Sequence, residues 1–346
     1  MMKTKINVVS LFNGMGTLRQ AFHNLGIKVE KYYSSEIKPY AIELQQYHFP
    51  DVIQVGDIRN WREWDIDWSS IDFIGSGSPC QDLSSAGKRA GIHGSKSSLF
   101  FTFVDILNHI KSLNPNVLFL QENVGSASKL DIGIMSRALG VYPVRINSKL
   151  VTAQLRDRYY WSNIRTKQYG MFGDIITDIP QPEDRGIMFK DIITDGFVDR
   201  EKSMALLESI SRVGKDQFGI KSREKFGVSL IYINKNELRV KTNTAKGFDV
   251  VTENDCIDLS FPTSTTRRAR VTKGKSPCLM ESSNNLYSYK DGIVRTVNKI
   301  EMCRLQGFPD NYCDILTTAK AGRLLGDGWT LPIIEHILSY IIHDEN

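Results

Sequence analysis

The sequence predicts an α/β protein: a mostly parallel sheet covered on both faces by helices, joined to a smaller, irregular domain. Three observations carry this. Short apolar runs alternate with amphipathic stretches over the first 165 residues, and such alternation builds parallel sheets through crossover helices. Between residues 166 and 275 the alternation stops: Asp, Gly and Lys become more frequent and apolar pieces such as "GVSLIYI" are short. Regular structure returns from about residue 293. The reading therefore places one domain at 1–165 plus 276–346 and inserts a second at 166–275.

Each element has its own signal. "KINVVSLF" reads as a strand and "TLRQAFHNLG" as a helix closed by Gly26, because a left-handed glycine ends helices cheaply. "VEKYYSSEI" is a second strand, and "PYAIELQQYHF" a helix with Pro39 suited to its first turn. "DVIQVGDI" and "IDFIGSGS" supply two more strands. "SSLFFTFVDILNHIKSL" is a long helix with Ser97 or Ser98 as N-cap, and "NVLFLQENV" follows as a strand. "QLRDRYYW" reads as a strand that places Gln154, Arg156 and Arg158 on one face. "NKIEMCRLQGF" and "PIIEHILSYII", behind Pro332, are the closing helices.

Composition narrows the class. An apolar fraction of 41% and a charged fraction of 24% are ordinary for a soluble protein. The chain has no apolar run of about 18 residues, and its start lacks a signal-peptide core, so a cytoplasmic protein without a membrane partner is expected. Five cysteines without a C-x-x-C pair point to neither a disulfide framework nor a metal site. The net charge of +5 says little about partners, but "PTSTTRRARVTKGK" at 262–275 holds five basic residues and no acidic one.

In sheets of this kind, ligands bind at the carboxyl ends of the strands. There stand "FNGMG", Glu36, Asp57, Cys80 and "ENV". Gly14 and Gly16 allow a tight turn and close approach to a ligand, although the third glycine of the dinucleotide fingerprint is missing. An acid at the end of strand two suits ribose hydroxyls, and one at the end of strand three suits an adenine amino group. The expected ligand contains adenosine. Cys80 follows a proline where a strand opens into a Gly/Ser-rich loop, a place for a working thiol rather than a packed one. With Glu122 as a candidate general acid, the pair points to covalent chemistry on a substrate activated by protonation. Arg156 and Arg158 are suited to gripping phosphates or a base carbonyl.

These blocks, in this order, resemble the DNA cytosine-5 methyltransferase family, bacterial or phage type: "SLFNGMGTLRQAF", "GSGSPCQDLSSAGK", "QENV", "QLRDRYYW", "RTVNKIEMCRLQGFP" and "LLGDGW". "SSLFF", "TTRRARVTKGK" and the Trp of "LLGDGWTLP" are also similar, more loosely, to the eukaryotic de novo enzymes. The resemblance implies a Rossmann-like S-adenosylmethionine-dependent methyltransferase fold with a target-recognition domain. It implies transfer of a methyl group to C5 of a flipped-out cytosine in double-stranded DNA. Cys80 would be the nucleophile at C6, Glu122 would act on N3, Arg158 on O2, and Arg156 would support the adduct or its loop.

The resemblance also implies a cofactor site. Phe12, Gly14, Gly16, Thr17, Leu18, Glu36, Ile37, Asp57, Ile58 and Leu99 would form it, completed by Trp329. Gln81 and Ser84 would meet the DNA, and one of Arg267, Arg268 and Arg270 would read a base. A monomer suffices for the chemistry, and a cognate restriction endonuclease is a candidate partner. The alternative is a cytosine-5 methyltransferase acting on tRNA. Thr17, Leu83, "RTVN" and "GDGW" depart from the common family pattern, and none of these departures falls at Cys80, Glu122, Arg156 or Arg158.

Overall fold

The first half of the chain folds as its alternation predicts. The computed structural model describes residues 5–79, 99–171, 173–198, 200–206, 229–233, 238–242, 244–252, 255–258, 270–273, 286–288 and 293–343. Cys80, Gln81, Ser84, Arg267 and Arg268, together with the N-cap candidates Ser97 and Ser98, lie outside the described residues. Contacts divide the chain into two units: one of Met1–Met188, Lys202–Ser211 and Lys299–Asn346, the other of Phe189–Glu201 and Arg212–Asn298.

The first unit is built on β1 (Ile6–Leu11), β2 (Val29–Ser35), β3 (Val52–Gln54), β4 (Phe73–Ser76), β5 (Leu118–Val124), β6 (Val144–Asn147) and β8 (Asp157–Ser162). They form one sheet in the order β3-β2-β1-β4-β5-β8-β6. The pairs from β3 to β5 are parallel, as expected. β8 runs antiparallel to both β5 and β6, so the sheet is mainly rather than wholly parallel.

Helices α1 (Thr17–Asn24), α2 (Pro39–His48), α3 (Leu99–Leu113) and α4 (Lys129–Leu139) connect these strands. α3 buries Phe100, Phe103, Val104, Ile106, Leu107 and Ile110, a spacing that keeps one apolar stripe on the sheet. That stripe packs in one core with Phe119 and Trp161, each large side chain stabilising the unit by roughly 1.5–3 kcal/mol. β5 is buried over nearly its whole length, the mark of a strand covered on both faces.

Two sequence expectations change. The strand in "DVIQVGDI" ends at Gln54, and Asp57 instead caps a 3-10 turn over Ile58–Glu63 by accepting the Arg59 N–H. "QLRDRYYW" is not one strand. β7 (Gln154–Leu155) is separated from β8 by Arg156 and pairs with a short strand at Ser203–Met204, because the Gln154 and Arg156 side chains are drawn into buried bonds described below.

The closing segment returns to the start of the chain. The last helix, Leu331–His343, packs on α1, with Asn24 Nδ2 donating to Glu335 Oε1 at 2.5 Å. Tyr312 donates to the Met15 carbonyl at 2.8 Å and stacks on His48 with ring centres 4.0 Å apart.

The described part of the second unit is antiparallel. Strand Leu230–Ile233 pairs with Ile293–Thr296, Leu238–Lys241 with Phe248–Val251, and Cys256–Asp258 lies between Arg270–Thr272 and Leu286–Ser288. Among the described residues no helix is long and apolar enough to cross a membrane.

Candidate active site

A cavity of about 530 Å³ opens at the carboxyl ends of β1, β2, β4 and β5, within the first unit. Phe12, Gly14, Thr17, Leu18, Glu36, Ile37, Asp57, Ile58, Leu99 and Trp329 line it, together with Glu122, Arg156 and Arg158. Gly16 is the exception among the cofactor candidates. It stands at the N-cap of α1 with φ +83°, and its N–H closes a turn on Asn13.

One half of the cavity is a turn held by a carboxylate. The chain leaves β1 through Phe12 at φ 54° and Gly14 at φ 54°, conformations that cost a non-glycine residue energy and gather at functional sites. Glu36 Oε2 accepts the Gly14 N–H at 2.8 Å, while Oε1 accepts those of Ile37 and Lys38 at 2.8 and 2.9 Å. A carboxylate offers about four acceptor positions, so Glu36 retains one for a ligand hydroxyl. Ile37 is 66% exposed at the rim, an apolar surface open to a flat ring.

Asp57 is clasped by its neighbour. Arg59 Nε lies 3.0 Å from both carboxylate oxygens, and its NH2 group also donates to Oδ2. The Arg59 hydrogen bonds hold the Asp57 carboxyl below its ordinary value, so it stays an acceptor. Two carboxylates beside the apolar walls of Phe12, Ile58 and Leu99 fit the ribose and adenine of an adenosine group. At the mouth, Lys38 Nζ pairs with Asp327 Oδ2 at 3.0 Å.

The other half converges on Glu122, which is only 8% exposed. Arg158 Nε lies 2.8 Å from Oε1, and Trp329 Nε1 donates to Oε2 at 3.0 Å. Tyr160 stands opposite Glu122 in the strand pairing. Burial first, and the Glu122 charge second, push its phenol well above the ordinary value, leaving it neutral. Below lies Ser78, whose Oγ accepts from Gln121 Nε2 at 3.0 Å and Asn123 Nδ2 at 3.3 Å. These bonds anchor the chain two residues before Cys80.

Arg156 also lines the cavity, but its guanidinium is bonded elsewhere. It is 3% exposed and donates to the carbonyls of Leu206 at 3.1 Å, Gly326 at 3.0 Å and Gly328 at 2.8 Å. Gln154 is drawn the same way, donating to the Leu305 carbonyl at 2.5 Å and Gln306 Oε1 at 2.9 Å. The alignment expected of the two arginines is therefore not found: the Arg156 guanidinium is committed to carbonyls, and Arg158 pairs with Glu122. Arg156 fastens the turn that carries Trp329.

Sequence reading missed several residues that shape the cavity. Gln45, buried in α2, donates to the Gly14 carbonyl at 2.6 Å. Asn13 joins Ser10, Tyr32 and Ser34 through its side-chain amide. A glutamine on the buried side of an amphipathic helix was the available signal for Gln45. The Lys38–Asp327 pair, 289 residues apart, had none.

In the second unit, Arg270 is exposed at the start of its strand. Lys273, read as part of the same basic run, is committed elsewhere: its Nζ meets Asp255 Oδ2 at 2.6 Å and the Val250 carbonyl at 2.7 Å.

Comparison with known proteins gives a consistent picture. The sequence profile of the family described as C-5 cytosine-specific DNA methylase matches residues 6–343. The Type II methyltransferase M1.ScrFI of Lactococcus lactis subsp. cremoris is 27% identical over 345 residues, covering 96% of this chain and 77% of its own. The Type II methyltransferase M.NlaX of Neisseria lactamica is 27% identical over 335 residues, covering 95% and 94%. Among solved structures, the Entamoeba histolytica methyltransferase EhMeth superposes with a TM-score of 0.60 at 13% identity, covering 99% of this chain and all of its own. At that identity the likeness is one of fold.

Proposed function

The chain belongs to the C-5 cytosine-specific DNA methylase family and is a DNA cytosine-5 methyltransferase, and on that premise we propose that it works through a covalent Cys80 adduct on a cytosine turned out of the duplex. The observation that carries this reading is the placement of Glu122 and Arg158, 2.8 Å apart, in the same cavity as the Glu36 turn.

S-adenosylmethionine, when bound, supplies a methyl group made electrophilic by its sulfonium. Glu36 and Asp57 would hold its adenosine between Phe12, Ile58 and Leu99, with Trp329 closing the far side. The rest of the chemistry belongs to this chain. C5 of cytosine is a poor nucleophile, and a thiolate added at C6 turns it into an enamine carbon. Cys80 makes that bond from the segment that follows Ser78 and Pro79. Glu122 meets N3 and stabilises the adduct by protonation, and Arg158 meets O2. Once C5 carries the methyl group, its proton passes to solvent, N3 returns its proton to Glu122, and expulsion of the Cys80 thiolate restores the aromatic ring.

A stacked base cannot reach such a cavity, so the target must leave the helix. The second unit, with Arg270 exposed on its surface, is the proposed reader of DNA sequence. Bisulfite sequencing of DNA from cells expressing the chain, beside a Cys80→Ala control, tests the reading. Cytosines methylated in one short context, and absent with the control, are expected. Unmethylated DNA together with methylated tRNA would overturn it.

A further inference from the structure

We infer that Trp329 is a positioning residue for Glu122: its indole N–H fixes the carboxyl that acts on the target base, in addition to any contact the ring makes with a cofactor. The inference rests on the functional reading above and extends it.

The carboxyl of Glu122 sits at the end of three rotatable bonds, and a mobile acid would hold its working orientation only part of the time. Two donors remove that freedom from opposite sides, Arg158 Nε on Oε1 at 2.8 Å and Trp329 Nε1 on Oε2 at 3.0 Å. An indole nitrogen donates and never accepts, so Trp329 cannot relay a proton. It can only orient. Each carboxylate oxygen has two acceptor positions, which leaves Oε2 room for the base while the indole stays in place.

The surroundings are shaped to keep the indole there. A Cβ added at Gly77 would come within 2.6 Å of Trp329 Nε1 and 3.1 Å of Cε2, so the end of β4 presents bare backbone to the ring. The turn bearing Trp329 is bolted from beneath. Arg156 donates to the carbonyls of Gly326 and Gly328. Thr330 donates to Gln306 Oε1 and meets Ser148 Oγ, both at 2.9 Å. The C-terminal turn thus reaches 207 residues back along the chain to set the orientation of one acid.

The test separates this role from that of a cofactor wall. Reversible addition of Cys80 at C6, with N3 protonated by Glu122, makes C5 exchange its hydrogen with solvent in the absence of cofactor. Trp329→Phe keeps an aromatic ring and removes the donor, together with part of the wall's area. The full-length variant is assayed for release of tritium from C5-labelled cytosine in duplex DNA, and for binding of S-adenosylhomocysteine. Exchange, measured without cofactor, is expected to fall about tenfold, as for loss of one hydrogen bond to a charged group, whatever the smaller ring does to S-adenosylhomocysteine binding. In a Glu122→Gln background the same substitution is expected to add nothing further.

Exchange at the parental rate, with or without loss of binding, would overturn the assignment. Should Trp329→Phe fail to fold, Gly77→Ala displaces the indole from the other side, and the same loss of exchange is expected of it. A parental chain that neither methylates nor exchanges would instead sink the functional reading itself, and this assignment with it.

Discussion

Arg158 reaches Glu122 diagonally across the β5–β8 ladder, Nε to Oε1 at 2.8 Å. Glu122 pairs with Tyr160 and Val124 with Arg158, so the two charged side chains lie one step apart on the same face. The direction of β8 explains why this is possible. An antiparallel strand starts where its neighbour ends, so a residue near the start of β8 stands at the carboxyl end of β5, where parallel sheets hold their ligands. Arg158→Ala is expected to reduce methyl transfer roughly hundredfold or more, the scale of losing an acid's working geometry. Single-turnover kinetics should show the loss in the chemical step, with S-adenosylhomocysteine affinity retained. A normal rate in that assay would remove Arg158 from the reaction.

Arg156 predicts a different phenotype. Its guanidinium supplies the carbonyls of Leu206, Gly326 and Gly328, and Arg156→Met would leave all three buried without that donor. A stability loss of about 3 kcal/mol is expected, visible as a lower denaturant midpoint, and cofactor affinity should weaken because the Trp329 turn loosens. Arg158→Ala should also lower the midpoint, because it leaves the buried Glu122 carboxylate without its cation, but it should leave the Trp329 turn and cofactor affinity in place. Cofactor affinity unchanged in Arg156→Met would contradict the division of roles between these neighbouring arginines.

The contrast shows how much of the site was legible in the sequence. β1, β2, β4, β5 and the helices between them follow from apolar periodicity. Glu36 and Glu122 could be placed at the carboxyl ends because strand ends are visible in the residues, whereas Asp57 lines the cavity from a 3-10 turn beyond its strand. Strand periodicity alone put Gln154, Arg156 and Arg158 on one face, and it failed at Arg156. The carbonyls that draw that side chain away belong to residues 206, 326 and 328, far along the chain. Lys38 with Asp327, and Trp329 with Glu122, were hidden for the same reason: long-range pairs leave no local pattern. Gly77 is legible only afterwards, once the indole that fills its missing side chain is known.

Asp57 should be one contributor to acid sensitivity, beside Asp67, Asp178 and Asp310, which are lowered too. The Asp57 carboxyl is held below the ordinary 3.8 by the Arg59 hydrogen bonds. A folded-state value below the unfolded one stabilises the fold above the ordinary aspartate range, and the gain is lost as pH falls through the depressed value. Arg59→Ala should therefore lower the melting temperature at pH 6 and above. The gap to the parent should close as the pH falls well below 4. Arg59 is mostly exposed, so the effect should also shrink with added salt. A gap that widens in acid would show that Arg59 acts through something other than Asp57.

The basic run of the second unit yields a prediction about DNA. Lys273 is tied to Asp255 and the Val250 carbonyl, so Lys273→Ala should cost local stability more than DNA affinity. Arg267, Arg268 and Arg270 are the remaining candidates, and Arg270 is exposed where it can be described. Replacing all three by alanine should weaken binding and flatten the plot of log affinity against log salt by roughly two, if two of them meet phosphates. The third, reading a base, should show up separately: bisulfite sequencing with the triple variant should find the surviving methylation spread over a wider set of contexts. Single alanine variants then identify the reader as the one that alters context with little change in salt slope. If the triple variant keeps both the parental slope and the parental context, recognition lies outside this run.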